Sequence, residues 1–382
     1  MHLPLRQQRP VPSKGGRDRR QQQAISTDST YPPVSTRKAD RLNVSLAERT
    51  TFRIGGPADR LIVAETEDDV RLALREENLV VLGGGSNVLV SDEGIRGTVL
   101  APGLKGLSLK NDGDHVVLTA AAGELWEDVV AHAVAHGLAG LECLAGIPGW
   151  TGAVPIQNVG AYGQEVADTI TRVRVIDRET GVISSMSAAG CAFAYRDSVF
   201  KHARRDRDVV LGVSFRLRAG FAATPRYGEL GAALGEGPHE VAHVRATVLS
   251  LRRAKGMVLS PEDPDTRSAG SFFTNPIVHR DLLPRVLAAA ERAAPGVKMP
   301  TFAMDGDEGR VKLAAGWLIE RAGFAKGEAR GRVGLSSKHA LAIINRGGAT
   351  AADVLALSKE IQSKVRAVFD VELEPEPVFL GF

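Results

Sequence analysis

The residues best suited to chemistry are gathered in a few short runs of this 382-residue chain. Gly83-Gly84-Gly85-Ser86-Asn87 places three glycines before two side chains that can donate hydrogen bonds. Without Cβ atoms, backbone N–H groups can turn toward one point and a ligand can come close, which suits a pyrophosphate. The run lacks the Gly-Lys-Ser/Thr of a triphosphate loop, and Val88 stands where a dinucleotide fingerprint needs its third glycine. A flexible hairpin turn is the plainer reading of these residues taken alone. A second glycine-rich stretch runs from Gly146-Ile147-Pro148-Gly149-Trp150-Thr151-Gly152-Ala153 to Gln157-Asn158-Val159-Gly160-Ala161-Tyr162-Gly163. It is nearly pure backbone, able to wrap a large planar cofactor or simply to pack as a long loop.

Three side chains stand out elsewhere. In Tyr195-Arg196-Asp197-Ser198 the arginine could clamp a carboxylate through two parallel bonds, or pair with Asp197 at the surface. Ser271, in Gly270-Ser271-Phe272-Phe273-Thr274-Asn275-Pro276, is a lone hydroxyl beside two phenylalanines, or an ordinary strand start. Glu376, in Leu373-Glu374-Pro375-Glu376-Pro377, is held extended by prolines that remove backbone donors, or is part of a charged tail. His132 and His136 have metal-ligand spacing on a helix, but the glutamate of a metalloprotease motif is missing and no third ligand is evident. They read as surface histidines, and no metal is expected. No Gly-x-Ser-x-Gly elbow supports serine hydrolase chemistry.

These groups need elements to hold them. Strands are expected at 61–64, 80–82, 88–90, 116–121 and 209–217, with a hairpin whose arms are 173–177 and 182–183. Thr66 and Asp69 resemble an N-cap pair opening a helix at 70–74. Further helices are expected at 124–136, 241–255, 282–292, 313–322 and 351–369, and further strands at 271–273 and 340–344. The glycine run joins strand to strand. Residues 220–237 read as a linker or mobile loop, so the α+β body divides into at least two lobes near 220–240.

Composition sets outer limits. Hydrophobic residues at 43% and charged residues at 24% are those of a soluble globular protein, long enough for two or three domains. No apolar run approaches the roughly 18–20 residues of a membrane span, so no membrane association is expected. Residues 1–42 carry nine Lys/Arg against three Asp, leaving the tail six positive and the remaining body three negative, for a whole-chain charge of +3. An acidic body argues against a nucleic-acid-binding core. Residues 1–41 read as a disordered basic tail. Cys143 and Cys191 form no metal or redox spacing and read as reduced thiols of a cytoplasmic protein.

Taken together and in order, several segments resemble one family, UDP-N-acetylenolpyruvoylglucosamine reductase. They are Thr50-Thr51-Phe52-Arg53-Ile54-Gly55-Gly56-Pro57-Ala58, the 82–89 glycine loop, the 146–163 stretch, Tyr195-Arg196-Asp197-Ser198, and the 268–276, 314–323 and 374–381 runs. The resemblance implies a vanillyl-alcohol-oxidase-type FAD domain over 42–220, made of two subdomains split near 105. It also implies a substrate domain over 241–370, and a C-terminal segment, 371–382, that returns to the active site. It implies non-covalent FAD, NADPH as co-substrate, and UDP-N-acetyl-enolpyruvoylglucosamine as substrate; a monomer is expected. By resemblance, FAD is held by Gly83, Gly84, Gly85, Ser86, Asn87, Ile147, Pro148, Gly149, Gly152, Ala153, Asn158, Gly160, Ala161 and Tyr162. Arg196, Ser271 and Glu376 match the family's catalytic residues, and Tyr195, Tyr227, Lys255 and Asn275 its substrate contacts. Tyr227 resembles the tyrosine of a closing loop. Two departures are visible: a longer connection from Lys255 to Ser271, and Ser337-Lys338-His339 where some members carry glutamine.

The implied chemistry is hydride addition to an enol-ether double bond with Ser271 giving the proton. A serine hydroxyl is a weak acid, so the accepting carbon must be strongly basic. An alcohol or phenol oxidase on the same cofactor domain is a competing reading. Oxidases of that kind often tether FAD through histidine, and none lies in 83–87 or 140–163. A non-catalytic nucleotide-sugar binder is the other, and the presence of Arg196, Ser271 and Glu376 argues against it.

Overall fold

The chain's first strand, β1 (Asp40–Ser45), pairs antiparallel with β2 (Pro57–Ala64) at the edge of a four-stranded sheet. This is a computed structural model describing residues 40–222, 228–304 and 306–382. Asp40 and Arg41, expected as the end of the basic tail, lie in β1; the rest of that expected tail lies outside the described residues. From β2 the chain passes through α1 (Glu67–Ala73) to β3 (Leu79–Val81). Both strands run parallel to β5 (Ile95–Pro102), giving the order β1-β2-β5-β3. Thr66 and Asp69 do form a capping box: Asp69 N donates to Thr66 Oγ1 at 3.1 Å, and Thr66 N donates to Asp69 Oδ2 at 2.9 Å. Residues 83–87 leave β3 and enter β4 (Val88–Val90), which turns away from this sheet.

The second lobe is antiparallel. Strands β6 (Leu107–Asp112), β7 (His115–Ala121), β8 (Ile170–Asp177), β9 (Ile183–Ser187) and β10 (Asp208–Ala219) take the order β9-β8-β10-β7-β6, with Leu138–Ala139 pairing onto the end of β10. Helix α2 (Trp126–Ala135) covers the sheet, with the Trp126 and Phe215 rings 5.6 Å apart in its core. The stretch expected as a linker contains α3 (Gly228–Leu234), anchored by buried Leu230. Helix α4 (Val241–Ala254) buries Val244, Val248 and Leu249 in this same core, beside Leu118 and Phe215. The sequence reading grouped α4 with the C-terminal lobe. Its apolar face is spent on the second lobe, so the seam lies after Lys255 rather than near 220–240.

The C-terminal lobe holds β11 (Ile277–His279), α5 (Leu283–Ala293), β12 (Thr301–Ala303), β13 (Arg310–Leu313), α6 (Ala315–Arg321), β14 (Val333–Leu335), β15 (Ile343–Asn345) and α7 (Ala351–Phe369). Helix α7 points Val354, Leu357, Ile361 and Val365 inward, at helical spacing. The strand expected at 340–344 is β15, shifted to 343–345. Residues 271–273 are not a ladder strand: only Phe273 bridges, to Pro375. Pro276, Pro375 and Pro377 supply no N–H, so the ladder cannot extend.

This lobe is sewn to the first. Phe52, Ile54 and Leu89 lie in its hydrophobic core. Asp92 accepts from Ala351 N at 2.7 Å and Ala352 N at 3.0 Å, capping α7 from another part of the chain. The last strand, β16 (Val378–Leu380), runs parallel to β4. The described residues from Asp40 on form one compact unit.

Candidate active site

The glycine run and the second glycine stretch meet backbone to backbone. A Cβ on Gly84 would lie 2.8 Å from Gly149 Cα, and a Cβ on Gly149 would lie 2.5 Å from Ser86 Oγ. Only glycine permits that approach at Gly84. The Gly85 carbonyl accepts from Thr51 N at 3.0 Å, and the Asn87 carbonyl from Val378 N at 3.0 Å, so the loop is fixed through its carbonyls. Its donors are left over: among the described residues, no protein acceptor takes a backbone N–H from Gly83 through Asn87. Buried or half-buried N–H groups are rarely orphaned. Consecutive unused donors between two glycine walls fit an anionic ligand such as a pyrophosphate.

The 146–163 stretch is tied to the second lobe. Trp126 N donates to Gly149 O at 3.0 Å, and Gly152 N to Ala122 O at 2.8 Å. Asn158 is 1% exposed and its amide is fully used inside the protein: Nδ2 donates to Glu165 Oε2 at 2.6 Å and to Ala194 O at 3.0 Å, and Oδ1 accepts from Ala167 N at 3.1 Å. Its side chain shapes the loop and is not free for a ligand.

Tyr195 and Arg196 form the tip of a tight turn. Ala194 and Asp197 exchange both backbone bonds, at 3.0 and 3.1 Å, and Arg196 takes a left-handed φ of 54°. Such a conformation is strained for a side chain of this size and is retained where a tip must be aimed. The buried Ser198 hydroxyl donates to Ile156 O at 2.5 Å, fastening the turn to the glycine stretch. The guanidinium then spans segments: Nη2 donates to Gly160 O at 2.5 Å and Nε lies 3.3 Å from Glu376 Oε1. The alternative partner, Asp197, instead faces His202 at 2.7 Å.

Glu376 arrives from the far end of the chain. Its N–H donates to Phe272 O at 2.9 Å, Thr274 N donates to Glu374 O at 3.0 Å, and Phe272 N donates to Leu341 O at 2.7 Å. Its Oε1 also accepts from Gln157 Nε2 at 3.2 Å, and Asn87 contacts both Gln157 Oε1 and the Glu376 carbonyl. Burial pushes the Glu376 carboxyl above the usual carboxylate range, against the pull of Arg196 and Lys201. Burial likewise raises Glu165, offset by its bond from Asn158 and by Arg196.

Ser271 is half-buried, one residue before the carbonyl that holds Glu376 N. Among the described residues, no protein group engages its hydroxyl. Asn275 Oδ1 accepts from Ala315 N at 3.0 Å at the start of α6. Burial raises the Tyr195 phenol, against the pull of Arg196. Lys255 pairs with Glu229 at 2.5 Å and lies 5.6 Å from the Tyr162 ring centroid. Tyr227 lies outside the described residues.

The sequence reading did not single out Gln157, Lys201 or Lys312. Lys201 Nζ donates to Arg196 O at 2.8 Å, and Lys312 Nζ sits 4.1 Å from the Tyr195 ring centroid. Nothing in their local sequence marks them; only the folded seam does. His136 Nδ1 lies 2.8 Å from His132 O of its own helix, and among the described residues no group of His, Cys, Asp and Glu gathers that could hold a metal ion. Both cysteines are buried, with burial pushing Cys143 up to about 12 and Cys191 up to about 11, which makes them poor nucleophiles. No described helix is long and apolar enough to cross a membrane.

Comparison with known proteins places this geometry. Residues 58–187 match a model of an FAD binding domain, and residues 262–380 match the C-terminal domain of UDP-N-acetylenolpyruvoylglucosamine reductase. A UDP-N-acetylenolpyruvoylglucosamine reductase of Thermobifida fusca is 50% identical over 350 residues, covering 89% of this chain and 97% of the relative. The chain belongs to the UDP-N-acetylenolpyruvoylglucosamine reductase family. A reductase of the same name from Streptomyces coelicolor is 46% identical over 391 residues, covering 99% of both chains. The crystal structure of UDP-N-acetylenolpyruvylglucosamine reductase from Thermus caldophilus superposes with a TM-score of 0.61 at 28% identity, covering 89% of this chain and 99% of that one. As a member of this reductase family the chain is an oxidoreductase with an FAD-binding domain, and the expected two-part α+β fold stands. The C-terminal match starts at residue 262, after α4, in agreement with the core to which α4 belongs.

Proposed function

We propose that this chain reduces the enolpyruvyl double bond of UDP-N-acetyl-enolpyruvoylglucosamine to give UDP-N-acetylmuramate, a cytoplasmic step of peptidoglycan precursor synthesis that uses NADPH. The observation that carries this is the Arg196–Glu376 pair, set where the glycine cradle, the Tyr195–Arg196 turn and the Ser271 segment converge. Gly83–Asn87 would hold the FAD pyrophosphate through their unused N–H groups, with the Gly146–Gly163 stretch lining the rest of the cofactor. Held there, FAD would supply hydride-transfer chemistry between NADPH and the alkene.

The chain's own residues handle the charge and the proton. Hydride addition at one alkene carbon leaves an electron pair on its neighbour, delocalised into the attached carboxylate. Arg196 faces that developing charge in a largely dry seam, where a fixed cation counts for more than in water. Glu376 and Gly160 O hold the guanidinium in place, and Gln157 and Asn87 hold Glu376. The Ser271 O–H bond breaks to protonate the basic carbon, and the resulting alkoxide regains a proton from solvent. A weak acid suffices because the acceptor is a carbanion-like carbon. Tyr195, Lys255, Asn275 and Tyr227 would contact the nucleotide sugar, with Lys255 leaving Glu229 to do so.

The test is an anaerobic titration. NADPH should bleach the flavin absorbance of the purified protein, and the enolpyruvyl sugar nucleotide should restore it with formation of the muramate product. A bleached enzyme that this substrate does not recolour would sink the assignment.

A further inference from the structure

We propose that Arg49, stacked on Trp150, is a counter-ion for the FAD pyrophosphate and completes the glycine cradle. This rests on the reading that Gly83–Asn87 holds that pyrophosphate. The cradle as described is made of backbone alone, and a bound diphosphate would bring two negative charges to it. Arg49 touches the loop through its backbone and the loop's neighbour, Trp150, through its side chain. Its carbonyl oxygen lies where a Cβ on Gly85 would come, at 1.8 Å, so its backbone packs directly on the loop. Its guanidinium carbon is 5.8 Å from the centre of the Trp150 ring. Trp150 in turn borders the loop: its N would lie 3.0 Å from a Cβ on Gly84, and its Cβ 4.0 Å from one on Gly83.

The guanidinium is half-buried, and among the described residues no carboxylate lies within ion-pair distance of it. Other arginines of this lobe do have one: Arg60 pairs with Asp40 and Glu76, and Arg96 with Asp59. Burial lowers the pKa of Arg49, and Arg41 adds to that. A planar cation held against an indole face keeps its N–H edges available. Arginine matches phosphate oxygens in the same two-pronged way that it matches carboxylate.

The readout is cofactor affinity of the apo-protein, not turnover. Apo wild type, Arg49→Ala, Arg49→Lys and a control, Arg41→Ala, would be titrated with FAD and with riboflavin, which lacks phosphate, following flavin fluorescence at low and high salt. Hydrogen bonds to charged groups suggest that Arg49→Ala weakens FAD binding about 10- to 100-fold. Riboflavin binding should be unchanged, the gap should narrow at high salt, and Arg49→Lys should recover part of the loss. Arg41→Ala should behave as wild type. Arg49→Gln, which keeps length and stacking without charge, carries the same reading if Arg49→Ala does not fold. FAD binding within about twofold of wild type for the uncharged variants, or equal losses for FAD and riboflavin, would overturn the proposal. Gly84→Ala separates the two ideas: if it leaves FAD affinity intact, the cradle reading itself fails, whatever Arg49 does.

Discussion

On the proposed function, the glycine cradle and the Arg196–Glu376 seam would meet different needs with different material. The cradle offers backbone: two glycine walls, carbonyls tied down, N–H groups left unused. The seam offers side chains from distant segments, with Arg196 and Glu376 only 19% and 15% exposed and each held by several partners. A cofactor that stays bound can be gripped by main chain, whose geometry is fixed by folding. A developing charge needs a cation aimed at it, and aiming a long side chain requires a strained turn and a buried carboxylate. Damage to the cradle should therefore appear as lost affinity for flavin, and damage to the seam as lost chemistry on a flavin that still binds.

The sharpest way to break that contrast is Ser271→Ala. Stopped-flow absorbance should show flavin reduction by NADPH at the wild-type rate and reoxidation by the enolpyruvyl substrate slowed about 10²- to 10⁴-fold. Near-normal rates in both half-reactions would remove Ser271 from the mechanism. Arg196→Ala should act on the same half-reaction, costing about 2–4 kcal/mol in its barrier, with bound flavin retained. If its steady-state turnover is untouched, the seam is not where the charge develops.

Gly84→Ala probes the opposite side. A Cβ there meets Gly149 backbone, and forced overpacking of about 1–3 kcal/mol corresponds to roughly 5- to 150-fold weaker FAD binding. Saturating FAD should restore most activity; a variant that binds FAD normally but cannot reduce substrate would blur the contrast.

The smallest effect concerns pH. The Glu376 carboxyl is pushed up by burial, so its ionised form, the one that pairs with Arg196, fills only above the ordinary carboxylate range. Reoxidation of the reduced flavin by the enolpyruvyl substrate should rise with pH through that titration, and Glu376→Gln should lower it while flattening the rise. The sign for stability is opposite. A raised carboxyl favours the folded state below its unfolded value and loses that contribution as pH climbs through the folded one. An unchanged pH profile in Glu376→Gln would assign the titration to another group.

Much of this was legible in the residues. The Thr66/Asp69 cap, the 173–183 hairpin and α7 follow from local capping and periodicity, and the structure keeps them. Local rules misread three places. Residues 220–237 look like a linker because glycine dominates them, yet Leu230 finds a buried site and a short helix forms. Helix α4 has an apolar face whose partner periodicity cannot name, and the partner is the second lobe. Residues 271–273 have strand composition, but whether they join a ladder depends on the proline-bearing segment opposite.

By itself, the sequence determined where the backbone could be bare, which helices would start and stop, and which ordered motifs mark the family. Those properties depend on residues close together in the chain, where sterics and capping act. Only the tertiary structure decided that Glu376 meets Arg196, that Gln157 and Asn87 support it, and that the last strand lies beside β4. The physical reason is that these contacts join residues far apart in the chain, at least 180 positions in each case. They form only when separate hydrophobic cores have docked and buried the charges between them.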